Sequence, residues 1–420
     1  MSPIRNFVLM LLALPVPIAL AADAWPEFRG PDGNGIVDST AELPTEWSAK
    51  DNIAWRAELP GRGWSSPVVG DGRIYLSAAI PKKNGSDEKT QEYALSLLII
   101  DADTGDLLKT VEIMEQTADR SPRIHKKNSH ASPTPILTED RIFVHFGHQG
   151  TACLSRDGNV IWKNRQLYFD PTHGNGGTPI LVDNHLIFTC DGGKEPKIVS
   201  LDAGSGELVW EVGRPVSAKK KFSFCTPTLI NVNGQQQVIA PGSDCVLAID
   251  PATGETIWDV RYDGYSVIPK PVYHDGLVFI STSFDKSKML AIRPTGSGVV
   301  TDTHVVWQVD RNIPKTPSMI AADGLIYSIS DNGVAQCVEA ESGEVVYQKR
   351  VGGNFSASPL MAGGHIYYTS EQGLTTVIQA GTEFVKVAES DIGGRTLASL
   401  AVVDDSLLLR TEDALYRIGN

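Results

Sequence analysis

Four tryptophans, Trp162, Trp210, Trp258 and Trp307, fall about 48 residues apart in a chain that holds only eight. Recurrence at that interval belongs to solenoids and propellers, where each unit buries its apolar face only against its neighbours. The sequence around each tryptophan repeats too. "CVLAIDPATGETIW" at 245–258 is echoed by "SLDAGSGELVW" at 200–210 and by the shorter "CLSRDGNVIW" at 153–162. "CVEAESGEVVY" at 337–347 puts Tyr347 in the Trp place, and "IIDADTGDLL" at 99–108 lacks the aromatic. "NIAWRAEL" at 52–59 keeps only the last strand of the pattern.

Each unit reads as four strands. A Ser/Thr-Pro pair opens a short apolar strand, as in "SSPVV", "GTPILV" and "CTPTLI". A polar turn leads to an alternating strand such as "GRIYLSA" or "GLVFIST". The Asp-x-x-x-Gly turn then joins the third strand to the fourth. β-Branched and aromatic residues at period two, with frequent turn signals, mean β-structure throughout. First strands start at Pro67, Pro133, Pro179, Pro227, Pro271, Pro317, Pro359 and Leu400. The last copy, "SLAVVDDSLLLRTEDALYRIGN", has three strands, and its fourth is the N-terminal "NIAWRAEL". Pairing the chain ends removes the edges of an open array. The expected fold is all-β, an eight-bladed β-propeller of four-stranded antiparallel blades closed by the N-terminal strand. Its tryptophans are apolar plates between blades.

The 420 residues, 41% hydrophobic and 21% charged, are an ordinary globular balance. Residues 1–21 read as a cleaved signal peptide: Arg5, then the apolar "FVLMLLALPVPIALA", then a small-residue site near Ala21. Residues 22–420 are expected to form one propeller domain in the periplasm or outside the cell. The net charge of −13 speaks against nucleic acid as a partner. No further apolar run is long enough to span a membrane. The five cysteines (153, 190, 225, 245 and 337) contain no C-x-x-C. Cys153 and Cys337 occupy repeat positions held elsewhere by Ala or Ser, as small buried hydrophobes do; a Cys225–Cys245 bridge stays open.

The pattern Ala248, Asp250, Gly254, Trp258, with its variant Ser200, Asp202, Gly206, Trp210, resembles the tryptophan-docking repeat of the pyrroloquinoline-quinone-like propeller superfamily. The resemblance covers nearly all of the chain after the signal and implies the eight-bladed ring. Two branches of that superfamily imply different roles. Quinoprotein alcohol dehydrogenases hold the quinone and Ca²⁺ at the mouth of the ring. The propeller lipoprotein of the barrel-assembly machinery has no cofactor. "WPEFRGPDGNGI" at 25–36 and "KNSHASPTP" at 127–135 are similar to a third, secreted bacterial group. The dehydrogenases' adjacent-cysteine disulfide and the lipoprotein's lipid-bearing cysteine both lack counterparts here. The expectation is a non-catalytic module with no cofactor, binding a protein partner or a small anionic ligand. A quinone-dependent oxidoreductase is the alternative.

In a propeller the D–A and B–C loops share one face. Long loops there are candidate binding elements. The basic candidates are Arg120, Arg123, Lys126 and Lys127 in one D–A loop and Lys219, Lys220 and Lys221 in another. No Ser/His/Asp or nucleotide-binding arrangement stands out. One position breaks the repeat. The residue before each first strand is Ser66, Ser132, Thr178, Thr226, Lys270, Thr316, Ser358 and Ser399, a lysine among hydroxyls. A hydroxyl there is expected to bond nearby backbone. Lys270, with Lys315 and Arg395, is expected to form the polar floor of a binding funnel. His130, His173, Asn175 and Phe224 are placed around it.

Overall fold

The computed structural model describes residues 25–37, 42–82, 91–120 and 124–419. The signal peptide and Arg123 lie outside the described residues. Thirty-two of the strands make eight four-stranded antiparallel blades, with strand A innermost and strand D outermost. Blade 1 runs from Val68–Gly70 to Leu107–Gln116 and blade 4 from Thr228–Val232 to Thr256–Arg261. In blade 8, Ala401–Val403, Ser406–Arg410 and Ala414–Ile418 are joined by Ile53–Glu58 as strand D. Trp55 lies opposite Arg417 and Arg56 opposite Tyr416, so the two ends of the chain zip the ring shut.

The core lies in the seams between blades. One apolar cluster, for example, takes Trp258 and Val246 from blade 4 together with Val278 and Leu290 from blade 5. The Asp-x-x-x-Gly turn and the tryptophan serve one contact. The indole N–H of Trp162 bonds the carbonyl of Ala203 in the next blade at 3.0 Å, and that of Trp210 bonds Pro251 at 3.0 Å. Gly254 in the receiving turn has φ +78°, and a Cβ there would lie 2.8 Å from the Trp210 ring. Glycine is therefore needed both for the turn and for the approach of the indole.

Trp258 departs from this pattern. Blade 5 has no such turn. Its C–D connection instead sends Gly298–Val299 back to pair in parallel with the outer strand of blade 4. Trp258 is covered completely and turns its N–H to the Gln237 side chain at 2.9 Å. All five cysteines are free and buried.

The sequence reading missed the course of residues 25–37. They thread the central channel as a strap. Trp25 bridges Val69 of blade 1, the Pro26 carbonyl accepts from Leu137 of blade 2, and Ile36–Val37 pair in parallel with strand A of blade 7. Arg29 is buried and donates to the Met319 carbonyl of blade 6 at 2.6 Å.

Removing residues 52–59 deletes the closing strand, and the expected result is aggregation without a cooperative melt; a soluble, cooperatively melting variant would contradict the closure. Trp258→Ala should cost roughly 3–5 kcal/mol in chemical denaturation. A loss within about half a kcal/mol, typical of surface sites, would mean the indole is not wedged between blades.

Candidate functional site

Seven hydroxyls form a belt around the waist of the channel. The Ser66 N–H donates to the hydroxyl of Thr134, Thr134 to Thr178, and Thr178 to Thr226, at 2.9–3.0 Å. On the other side Lys270 N–H donates to Ser318, Ser318 to Ser358, Ser358 to Ser399, and Ser399 back to Ser66, at 2.9–3.1 Å. The repeated Ser/Thr thus joins neighbouring blades and does not bond locally. In blades 2 and 6 the belt residue is Thr134 or Ser318, two positions later than Ser132 and Thr316. The link missing from the belt is the one from Thr226, because residue 270 is a lysine without an acceptor oxygen.

Lys270 is 3% exposed. Its ammonium lies over Gly33 of the strap, where any Cβ would collide with it. Burial pushes this amine below its ordinary pKa, and the charge of Glu27 in the strap opposes that shift. Burial also raises the Glu27 carboxyl, against the pull of Lys270. Burial lowers the Arg29 guanidinium to about 9. Lys270 therefore lies under the strap and does not line the open cavity, as a funnel floor would.

Above the belt, on the D–A face, opens a funnel with a cavity volume of about 290 Å³. Its wall has two tiers, spaced two residues apart as alternation in an extended chain requires. The lower tier is the belt. The upper tier is Trp64, Ser132, Gly176, Phe224, Ile268, Thr316, Ser356 and Leu397, and Phe28 of the strap reaches the cavity as well. Around the mouth runs an arc of rings. His125 meets His173 at 5.6 Å between centroids, His173 meets Phe222 at 5.3 Å, Phe222 meets Tyr265 at 5.7 Å, and Tyr265 meets Phe284 at 6.0 Å.

Cations rim this arc. Lys220 donates to the Tyr265 hydroxyl at 2.7 Å, the Lys315 ammonium stands 5.4 Å from the Phe284 centroid, and the Arg395 guanidinium stands 5.3 Å from that of Trp64. Cation–π attraction holds such charges over ring faces. Arg395 also donates to the Lys126 carbonyl, and Lys127 pairs with Glu371 at 2.7 Å. Lys219 is exposed and Lys221 half-buried. The Arg120 carbonyl accepts from Gln149 at 2.7 Å.

His173 and Phe224 line the funnel; His130 and Asn175 do not. Asn175 is buried behind the wall and contacts His148 at 3.1 Å. His130 stacks on Tyr93 at 4.4 Å and contacts Gln116 at 2.8 Å. Lys315 and Arg395 stand at the rim and not on a floor. The aromatics Trp64, Phe222, Tyr265 and Phe284 were missed. For Trp64 and Phe224 the sequence does carry a signal, an apolar residue three before the strand-A proline.

A family model described as outer membrane protein assembly factor BamB matches residues 31–194, 96–300 and 297–413. The chain belongs to this family of PQQ-like propellers. A curated BamB from Moranella endobia (strain PCIT) is 25% identical over 207 residues, covering 46% of this chain and 52% of the relative. The chain thus spans about half the length of that BamB. The solved BamB of Moraxella catarrhalis superposes with TM-score 0.60 at 12% identity, over 88% of this chain and 97% of that one. A europium-containing methanol dehydrogenase gives TM-score 0.60 at 10% identity, over 92% and 89%. A computationally designed protein, Ika8, gives 0.60 at 11% identity, over 87% and 100%. Likeness to an assembly factor, an enzyme and a design alike shows the propeller and leaves chemistry to the site.

The quinone and Ca²⁺ of the dehydrogenase branch need hard oxygen donors for the cation. The funnel lining carries no Asp or Glu. Among the described residues no group of three His, Cys, Asp or Glu side chains comes together. Cys225, the cysteine behind Phe224, is buried and its thiol is pushed up by that burial. These residues do not fit that cofactor.

The histidines behind the funnel set a pH dependence. Burial lowers His130 to about 4 and His145 to about 3, and it lowers His148 as well. The folded chain holds them neutral, while the unfolded chain protonates them near 6.5. Their contribution is full above that pH and is lost as the pH falls toward the folded values. Each adds a slope of up to about 1.4 kcal/mol per pH unit in that window. His130→Phe keeps a ring beside Tyr93 and should flatten the acid limb between pH 6.5 and 4. An unchanged slope in urea titrations across that window would contradict the assignment.

Proposed function

We propose that the chain is an exported, non-catalytic binding module whose ligand site is the aromatic funnel on the D–A/B–C face. The observation that carries this reading is the funnel's composition. It is a concave site with aromatic walls, hydroxyls at its base and cations at its rim; its lining holds no carboxylate, and no metal-binding group of His, Cys, Asp or Glu comes together among the described residues. Family membership supports a protein partner, since the relatives' name describes assembly of outer membrane proteins. Charge favours the same face: in a chain of net −13, Lys220, Lys315 and Arg395 stand together around the mouth. The signal-like N-terminus supports a periplasmic or secreted location. Among the described residues no helix is long and apolar enough to cross a membrane.

The rival, a quinone-dependent oxidoreductase, is tested by titrating the chain with pyrroloquinoline quinone and Ca²⁺ while following absorbance and dye reduction with alcohols and sugars. The expected result is no saturable spectral change and no turnover. Micromolar quinone binding with dye reduction would overturn the non-catalytic reading.

A further inference from the structure

We propose that the hydroxyl belt and the buried cations around it form a recognition site for a small apolar carboxylate, its head group against the belt and its apolar body in the aromatic funnel. This inference rests on the funnel being the binding site and names the chemistry that it takes.

The first observation is a surplus of donors. Every belt hydroxyl has accepted a backbone N–H from the neighbouring blade, and none of these seven hydroxyls donates to an acceptor among the described residues. Each belongs to a side chain at least nine-tenths buried, and each lines the cavity. A hydroxyl that has accepted one hydrogen bond donates the next more strongly. The break at Lys270 adds the Thr226 N–H, left without the acceptor that its counterparts have. Donors that face the cavity are satisfied directly by a ligand rich in acceptor oxygens.

The second observation is a surplus of positive charge around the same waist. Arg29 contacts the Met319 carbonyl, one residue past the belt serine Ser318. Arg410 donates to the carbonyl and hydroxyl of Ser65, one residue before belt Ser66. Lys270 is itself a belt residue. All three are buried, and the Nε of Arg29, its Nη1 and the Nε of Arg410 have no hydrogen-bond partner among the described residues. Glu27 of the strap acts on Lys270, with Asp32 of the strap near Glu27. The fold can pair such a charge directly, as it does for Arg214 with Asp191 at 2.7 Å. Arg29 and Arg410 have no such partner among the described residues, so an anion there meets an attractive field in a poorly screened site.

Size and lining narrow the class. About 290 Å³ suits a body of one or two rings. Phe28, Trp64, Phe224, Ile268 and Leu397 give that body apolar walls. A free phosphate would leave those walls facing water. A neutral sugar brings many hydroxyl donors, and the lining holds no carboxylate to receive them. A carboxylate on an apolar ring satisfies both tiers.

Isothermal titration of the full chain at low salt, with phenylacetate and its neutral isostere phenylacetamide, tests the proposal. Phenylacetate should bind at least about tenfold more tightly than the amide. Lys270→Met should weaken phenylacetate by about tenfold and leave the amide unchanged. If that variant does not fold, Ser358→Ala serves, with the same selective loss expected. Equal affinity for the two probes would overturn the carboxylate assignment while leaving the funnel as a site for neutral ligands. Failure of phenylacetate to bind at millimolar concentration would overturn it too; the quinone titration then still decides the broader reading independently.

Discussion

The bond from a backbone N–H at the start of one strand A to the hydroxyl of the next blade is the constraint on which the ring depends. Blades come closest at the channel, and there seven of the eight junctions carry the same short bond. A ring tolerates no accumulated error, because its last blade must meet its first. Ser399 N–H closes the belt onto Ser66, at the same junction where Ile53–Glu58 closes blade 8. Individually such bonds contribute about 1 kcal/mol. Their importance lies in fixing one geometry around the whole circle, with the tryptophan contacts repeating that geometry farther out.

The strap explains how the ring accommodates one broken link. Where a hydroxyl is replaced by Lys270, the ammonium turns to the strap at Gly33 and Glu27. The strap touches blades 1, 2, 6 and 7 and so spans the circle that the belt traces. It blocks the channel and leaves a funnel open toward the D–A face. The arrangement concentrates buried positive charge near the axis of an acidic protein. That charge is unfavourable for folding alone and favourable for holding an anion.

The fold was legible because it is repetitive. Recurrent Trp162, Trp210 and Trp258, the Asp-x-x-x-Gly turns and the three-stranded last copy led to eight blades and to their closure by "NIAWRAEL". The site was legible only in part. Lys270 stood out as an exception in a column of hydroxyls, yet its surroundings did not, since the strap contacts it from more than two hundred residues away in sequence. "SPTP" at 132–135 offers two hydroxyls before two prolines, and the pattern alone favoured Ser132 over Thr134. The basic loops read as candidate binding elements, but Lys127 pairs with Glu371, and Arg395, expected on a floor, stands over Trp64 and donates to the Lys126 carbonyl. Such partners are set by loop packing, which periodicity does not encode.

Amide hydrogen exchange at single-residue resolution measures the belt directly. The account predicts that the N–H groups of Ser66, Thr134, Thr178, Lys270, Ser318, Ser358 and Ser399 exchange only through global unfolding, as the most stable parts of a fold do. The Thr226 N–H should exchange much faster, by local opening, and should become protected in saturating phenylacetate. Uniform protection of all eight amides in the free chain would contradict a belt broken at Lys270, and rapid exchange of the seven would contradict the belt itself.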